Sequence, residues 1–247
     1  MHYSRLMIAL IAALAIAAPA CAAPDVPCPQ YINIAPLPGG GTAIDSQGKP
    51  DGLGAVQINI PLAYTPGWSY LGMSAYKGSH DGTVETDNGS GVLALGFGGW
   101  PRIYASAMQV SSIWPEAKAV NGQVALSEEK AHTPALAFGV QDILNKEHAT
   151  TGRSYYWSAT KSVQLDGHNA YATLGFGTGR FLKRVFTGIS MPYGDRTNLI
   201  SEWDGYQINA GVTYRPSGRY GNTTLLAAHN GKVGWLFGLS NTFDIAR

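Results

Sequence analysis

Residues 199–214 read LISEWDGYQINAGVTY and carry the pattern that decides the fold. Two segments of alternating apolar and polar residues flank Asp204-Gly205, a dipeptide typical of two-residue type I′ hairpins. Such a turn would place Ser201 opposite Ile208 on one face, and Glu202 opposite Gln207 on the other. The stretch therefore predicts an antiparallel β-hairpin with one apolar face and one polar face.

Two further dipeptides, Asp166-Gly167 and Asn230-Gly231, predict hairpins of the same kind. The predicted opposite residues are Ala159 with Leu174 and Trp157 with Phe176 in the first hairpin, and Leu226 with Trp235 and Thr224 with Phe237 in the second. In both hairpins the apolar residues share one face, so we expect the same two-faced sheet along much of the chain.

Alternation with a period of two recurs elsewhere, most clearly over 54–64, and no segment shows a helical period with caps. The remaining predicted strands lie near 67–77, 90–98, 102–112, 120–127, 134–142, 184–191, 221–229 and 234–243. Long connections alternate with tight ones in the first half of the chain, as in outer-membrane barrels. The alternation fades after residue 165, which counts against a barrel.

Charge is scarce in this sequence of 247 residues, of which 13% are charged and 45% hydrophobic. Soluble domains usually carry about 25% charged residues, so an ordinary cytosolic surface is excluded. The apolar and aromatic content excludes disorder. A net charge of +1 provides no basis for binding nucleic acid.

The first 22 residues are predicted to be a secretory signal, because Arg5 precedes an apolar run over 6–18 and Ala20-Cys21-Ala22 fits a cleavage site. Lipidation of Cys21 is the alternative. Removal of Cys21 would leave Cys28 as the one thiol, which excludes an internal disulfide. Residues 23–53 then form an extended lead-in with a candidate first strand near 31–34, and 54–247 form the barrel.

The less apolar face of the strands is rich in Gly, Ala, Ser, Thr, Asn and Gln, which suits a barrel lumen better than an open surface. Aromatic residues lie near strand ends, as in an interfacial girdle: Tyr64, Trp68, Tyr76, Trp100, Tyr155, Trp203, Tyr206, Tyr214, Trp235 and Phe243. We therefore predict an all-β fold, a single antiparallel transmembrane β-barrel of about 12–14 strands. A secreted soluble β-sandwich, with these aromatics in its core, is the alternative.

Four blocks of sequence occur in an order that resembles a known family: PALAFGVQD (134–142), ATLGFGTGR (172–180), FTGIS (186–190) and EWDGYQINAGVTY (202–214). Together they resemble the YjbH-type bacterial outer-membrane β-barrels, which are associated with exopolysaccharide production. The resemblance implies an outer-membrane location and a role near glycan export, and it supplies no catalytic residues.

No catalytic, metal-binding or cofactor-binding motif stands out, so we expect no enzyme activity and no cofactor. The candidate functional residues are the polar groups predicted to face the lumen: Glu202, Gln207, Asn209, Arg215 and Gln141. They would either fill a closed lumen or line a path for a small solute or glycan. The expected functions are envelope structure or glycan export, with a passive diffusion channel as the alternative. The expected partners are outer-membrane lipid and the insertion machinery.

Overall fold

The computed structural model describes residues 37–67, 70–78, 90–109, 118–145, 153–165, 167–217, 222–231 and 234–244. Within them, twelve strands form a closed antiparallel barrel in which each strand pairs with its neighbours in chain order and the last pairs with the first. The strands are β1 (Tyr70–Gly78), β2 (Ser90–Phe97), β3 (Ile103–Gln109), β4 (Lys118–Ser127), β5 (Ala135–Gln141), β6 (Ser154–Leu165), β7 (His168–Gly177), β8 (Arg184–Tyr193), β9 (Thr197–Trp203), β10 (Ile208–Tyr214), β11 (Thr223–Asn230) and β12 (Gly234–Asp244). The predicted all-β single antiparallel barrel is confirmed, and closure of the sheet makes the sandwich alternative wrong.

Alternation along each strand divides the wall of the barrel into two faces. In β5, Ala135, Ala137 and Gln141 are buried while Leu136 is exposed. Because successive side chains of a strand point to opposite sides, buried residues face the lumen and exposed ones face outward. The exposed positions are mostly large and apolar, and many of the buried ones are small or polar.

The hairpin at Asp166-Gly167 has the predicted register, with Ala159 opposite Leu174 and Trp157 opposite Phe176. The hairpin at Asp204-Gly205 is displaced by two residues, so that Glu202 pairs with Asn209 and not with Gln207. The cause is the side chain of Asp204, which accepts hydrogen bonds from the backbone N–H groups of Tyr206 (3.2 Å) and Gln207 (3.1 Å) and extends the turn to 204–207. An even displacement leaves every side chain on its predicted face.

The predicted register at Asn230-Gly231 is wrong. Leu226 pairs with Gly238, and Trp235 pairs with His229. The connection between β11 and β12 spans three residues (231–233), so the displacement is odd and the two predicted partners lie on opposite faces. Leu226 is buried in the lumen, whereas Trp235 is 55% exposed on the outside.

Residues 37–66, which we call the plug, lie inside the barrel. They form only isolated bridges, between Gly40 and Gln57 and from Ile44 to Pro50 and Ala55. The prediction that 54–64 form a barrel strand is therefore wrong. In wall strands such as β5 and β9, buried residues alternate with half-buried or exposed ones, whereas Val56 and its neighbour Gln57 are both 0% exposed. The candidate first strand at 31–34 and the signal segment lie outside the described residues.

The connections between strands divide the barrel into a loop end and a turn end. The strand ends at the loop end are joined in sequence by 79–89, 110–117, 142–153, 178–183, 204–207 and 231–233. Those at the turn end are joined by 98–102, 128–134, 166–167, 194–196 and 215–222. The longest connections thus share one end, and the asymmetry is confined to the first half of the barrel, as predicted. No helix in the described part of the chain is long and apolar enough to cross a membrane.

Candidate functional site: the plugged lumen

The plug pairs part of its backbone internally, through bonds such as Gly41 N to Gln57 O and Leu62 N to Pro38 O, and its remaining N–H and C=O groups need other partners. Side chains from all around the wall supply them. Ser190 of β8 accepts from Val56 N (3.1 Å), Thr160 of β6 accepts from Ala63 N (2.8 Å), Gln123 of β4 donates to Leu62 O (3.0 Å), and Asn198 of β9 donates to Gly52 O (2.8 Å). The polar inner face of the wall therefore serves as the hydrogen-bonding partner of the plug.

Glu202 of β9 makes the most concentrated of these contacts. Its two carboxylate oxygens accept hydrogen bonds from consecutive backbone groups of the plug, Ile58 N at 2.9 Å and Asn59 N at 2.7 Å. Asn209, its partner across the hairpin, donates to the same carboxylate at 3.0 Å. Charge-assisted bonds of this kind are the stronger class of hydrogen bond, so Glu202 is a main point of attachment.

The side chain of Asn59 extends the same attachment, because it donates to Asp204 at 3.1 Å. Arg180, at the centre of the short 3₁₀ helix Gly179–Phe181, donates to the carbonyl oxygen of Asn59. Its guanidinium also lies 4.5 Å from the centre of the Phe181 ring. Burial raises the pKa of Asp204, and the hydrogen bonds from Asn209 and Gln207 and the charge of Arg180 partly oppose that rise. We call Glu202, Asp204, Arg180 and Asn59 the latch.

A second attachment lies at the turn end, where the Tyr64 hydroxyl donates to Glu129. Glu129 also accepts from Lys161 Nζ at 3.0 Å and from the N–H and hydroxyl of Ser162. Burial by itself raises the pKa of Glu129, but the hydrogen bonds from Ser162, Tyr64 and Lys161 outweigh it and hold the pKa below its ordinary value. Burial and the neighbouring Glu129 raise the pKa of Tyr64, which keeps its hydroxyl a donor.

Arg102 holds the plug at the same end of the barrel. Its guanidinium donates to the backbone oxygens of Gln47 (2.9 Å) and Ser46 (3.4 Å), and it lies 3.2 Å from the carboxylate of Glu128. The plug is therefore attached to charged side chains at both ends of the lumen.

Apolar contacts fill the space between the two attachments. Ile60 packs with Leu37 of the plug, with Tyr156 and Phe186 of the wall and with Phe181 of the short helix, and these are buried completely or almost completely. The rings fit because glycines oppose them in the sheet. A Cβ atom at Gly175 would lie 2.1 Å from the ring of Phe186, and one at Gly139 would lie 2.1 Å from that of Tyr156. A Cβ atom at Gly177 would likewise lie 2.4 Å from the ring of Phe181.

The five residues predicted to face the lumen lie in three places. Glu202, Gln207 and Asn209 are buried and meet at the latch, where Gln207 and Asn209 both donate to Asp204. Gln141 is buried in β5. Arg215 lies apart at the turn end, where its side chain lies against Gly52 of the plug.

Sequence reasoning missed the plug side of the site. Asn59 was assigned to a wall strand and Tyr64 to the interfacial girdle, yet both are fully buried in the lumen. Tyr206, also predicted in the girdle, is 2% exposed. Of the remaining predicted girdle residues, Trp100, Tyr155, Tyr214 and Trp235 are exposed, Trp203 and Phe243 are half-buried, and Trp68 and the side chain of Tyr76 fall outside the described part of the chain. No signal in the sequence pairs Glu129 with Tyr64.

No cluster of metal-binding side chains occurs among the described residues. A polar cleft of about 310 Å³ lies at the turn end between the plug and the β6–β7 hairpin, lined by Asp45, Tyr64, Ser162 and Tyr171 among others. No protein-family model matches the sequence, and no curated protein matches it. The resemblance to YjbH-type barrels therefore remains a prediction.

Proposed function

We propose that this chain is a non-catalytic outer-membrane barrel that acts in envelope structure or glycan export, with its lumen occupied by its own plug. The observation that carries the membrane location is the apolar outer face. Large apolar side chains that are at least 40% exposed occur on nearly every strand: Met73, Leu93, Ile103, Leu126, Leu136, Tyr155, Trp157, Leu174, Phe176, Val185, Tyr193, Tyr214, Leu225, Trp235, Phe237 and Leu239.

Water would make this outer face costly, because soluble monomers rarely expose contiguous apolar patches above a few hundred Å². A lipid bilayer removes that cost, and alternation of apolar outward and polar inward residues is the pattern of transmembrane barrels. Aromatic side chains such as Trp100 and Tyr193 are exposed beyond or at the ends of the strands, where an amphipathic ring meets both lipid and water. The long connections would face the cell exterior and the turn end the periplasm.

The role in glycan export is supported by where the resembling blocks fall. They correspond to β5, to β7 with the short helix, to β8, and to the β9–β10 hairpin. These elements contain Glu202, Arg180 and Gly175, so the segments that resemble the family also build the latch and the aromatic packing around the plug. A shared way of closing the lumen would explain why those segments look alike.

The alternative is a small passive diffusion channel, favoured by the polar inner wall. The plug opposes it, because residues such as Ile58 and Ile60 are completely buried in the centre of the lumen. We therefore expect no steady conductance from the unaltered protein in planar bilayers, and a constant open current would favour the alternative.

Membrane fractionation combined with gel mobility before and after boiling tests the location. A transmembrane barrel should sediment with outer membranes, stay folded in cold detergent and shift in mobility on boiling. Recovery in the soluble fraction with no shift would overturn the proposal. The role is tested by deleting the gene and measuring surface polysaccharide, which should fall and return on complementation; an unchanged amount would contradict it.

A further inference from the structure

The inner face of the wall is polar even though the plug covers it. Asn121, Gln123, Gln141, Thr160, Ser190 and Ser240 point inward and are at most 3% exposed. Gln123, Thr160, Ser190 and Ser240 bond to the plug, but the side chain of Gln141 bonds to none of the described residues, and a buried polar group without a partner loses its hydration with nothing in return. Polar walls are what a water-filled passage requires.

Hydrogen bonding within the closed lumen is also incomplete. Both amide atoms of Gln57 in the plug and of Gln141 in the wall lack a hydrogen-bond partner within the described residues. The cost of such groups is paid only while the plug is seated, since water would satisfy them in an open lumen. Seating of the plug therefore removes water from polar wall groups that would otherwise be hydrated.

The plug can leave without breaking the wall. The wall strands bond to one another around a closed circle, whereas the plug is bound to the wall through side chains at separate points. Removing Glu202 or Thr160 from the plug backbone would leave every pair of the wall ladder intact. The plug and the wall are thus two bodies joined by side-chain hydrogen bonds and by three buried apolar clusters, with no β-ladder shared between their described residues.

We propose that the plug is a gate, and that release of the latch opens a pore for small hydrophilic solutes with a preference for cations. The proposal rests on the membrane location proposed above. The preference follows from the latch, where the wall contributes two carboxylates, Glu202 and Asp204, and one guanidinium, Arg180, all buried in the lumen. A narrow passage with excess negative charge favours cations.

The first test is conductance of the full-length protein in planar bilayers with KCl, comparing the unaltered protein with Glu202→Gln. The carboxylate accepts hydrogen bonds from two N–H groups of the plug. The amide would point its own N–H at one of them, so that hydrogen bond would be lost. We expect the open fraction to rise about tenfold, the effect of losing roughly one hydrogen bond to a charged group. The matched control is Asp195→Asn, an exposed carboxylate in the turn 194–196, which should not change the open fraction.

The second test locks the gate. Ala63 N lies 2.8 Å from Thr160 Oγ1, so cysteines at these two positions can be joined by a short thiol cross-linker. With Cys21→Ser and Cys28→Ser added, the pair would be the only thiols in the sequence. Joining them in the Glu202→Gln background should abolish the openings, and a cleavable linker should restore them on reduction.

Two results would overturn the gate. One is silence of both the unaltered protein and Glu202→Gln while each still shows the mobility shift of a folded barrel. The other is current that persists after cross-linking. Loss of the mobility shift in the unaltered protein would instead overturn the membrane location itself. A reversal potential in a KCl gradient should show cation preference that weakens in Glu202→Gln, and anion preference would overturn the solute class.

Discussion

The wall and the plug solve the same problem in opposite ways. Both bury an extended backbone, and every buried N–H and C=O needs a partner. The wall pairs strand with strand over twelve ladders, so its bonds do not depend on side-chain identity. The plug bonds part of its backbone internally and depends on particular wall side chains for the rest, such as Glu202 for Ile58 and Asn59. Strand pairing in the wall should therefore tolerate substitution on the inner face, while seating of the plug should be sensitive to single changes on either side of the contact.

Ile60→Ala is expected to have the largest effect on the plug while leaving the wall folded. Ile60 is completely buried between the plug and the aromatic side chains of the wall. Truncation of such a residue should weaken seating of the plug by about 2–5 kcal/mol. Hydrogen exchange of plug amides should be faster than in the unaltered protein, while the shift in gel mobility on boiling should remain.

The control for that experiment is Leu174→Ala, which removes a similar volume from a side chain that is 57% exposed on the outer face. Plug exchange should not change in this variant. Unfolding of wall and plug together at one denaturant concentration in Ile60→Ala would show that the two are one cooperative unit and would remove the distinction.

The next effect tests the outer face of the wall alone. Leu174→Arg places a charge in the middle of β7, and we expect it to destabilise the barrel in lipid vesicles by about 2–4 kcal/mol. Tyr193→Arg is the matched variant, because Tyr193 is equally exposed but ends β8. It should cost about 0–1 kcal/mol, as expected near an interface. Equal costs for the two variants would contradict a membrane-spanning outer face.

The smallest effect concerns the turn-end attachment and its dependence on pH. Hydrogen bonds hold the pKa of Glu129 below its ordinary value, so its contribution to plug seating is present above the unfolded pKa of about 4.3. It is lost as the pH falls through the lower folded pKa. The difference in plug amide exchange between the unaltered protein and Glu129→Gln should therefore be full at pH 7 and vanish under strong acid. A difference independent of pH would mean that the Glu129 charge has no part in the attachment.

The two regions also differ in how far the sequence predicts them. In the wall, the alternating pattern and the Asp-Gly turns predict strands and faces, since even the displaced hairpin at 204–207 keeps its parity. The exception is the hairpin joined by 231–233. Apolar residues of β11 and β12 fit either register, and the odd length of the connection decides which residues pair.

In the plug, the same alternation is misleading. Val56, Ile58 and Ile60 alternate with polar residues as a wall strand would, because alternation indicates an extended backbone and not membership of a sheet. Pro61 is the local signal against a strand, since it cannot donate to a ladder. The latch and its neighbours were half predicted: Glu202, Gln207 and Asn209 follow from wall parity. Asn59, which donates to Glu202 and Asp204, requires knowing where the plug lies.

The pairing of β1 with β12 has a consequence for how the molecule is made. Tyr70 pairs with Asp244, so the seam joins the first wall strand to the last and closes only when nearly the whole chain is available. The plug precedes β1 in the chain, and wall strands surround it once the seam forms. Residues 37–66 must therefore be inside the curling sheet before the seam closes, or thread in through an open end afterwards. Contacts this distant in sequence form slowly. Pairing at the seam would thus be a late step of folding. The order of plug entry and seam closure would decide whether a molecule first folds with its lumen filled or empty.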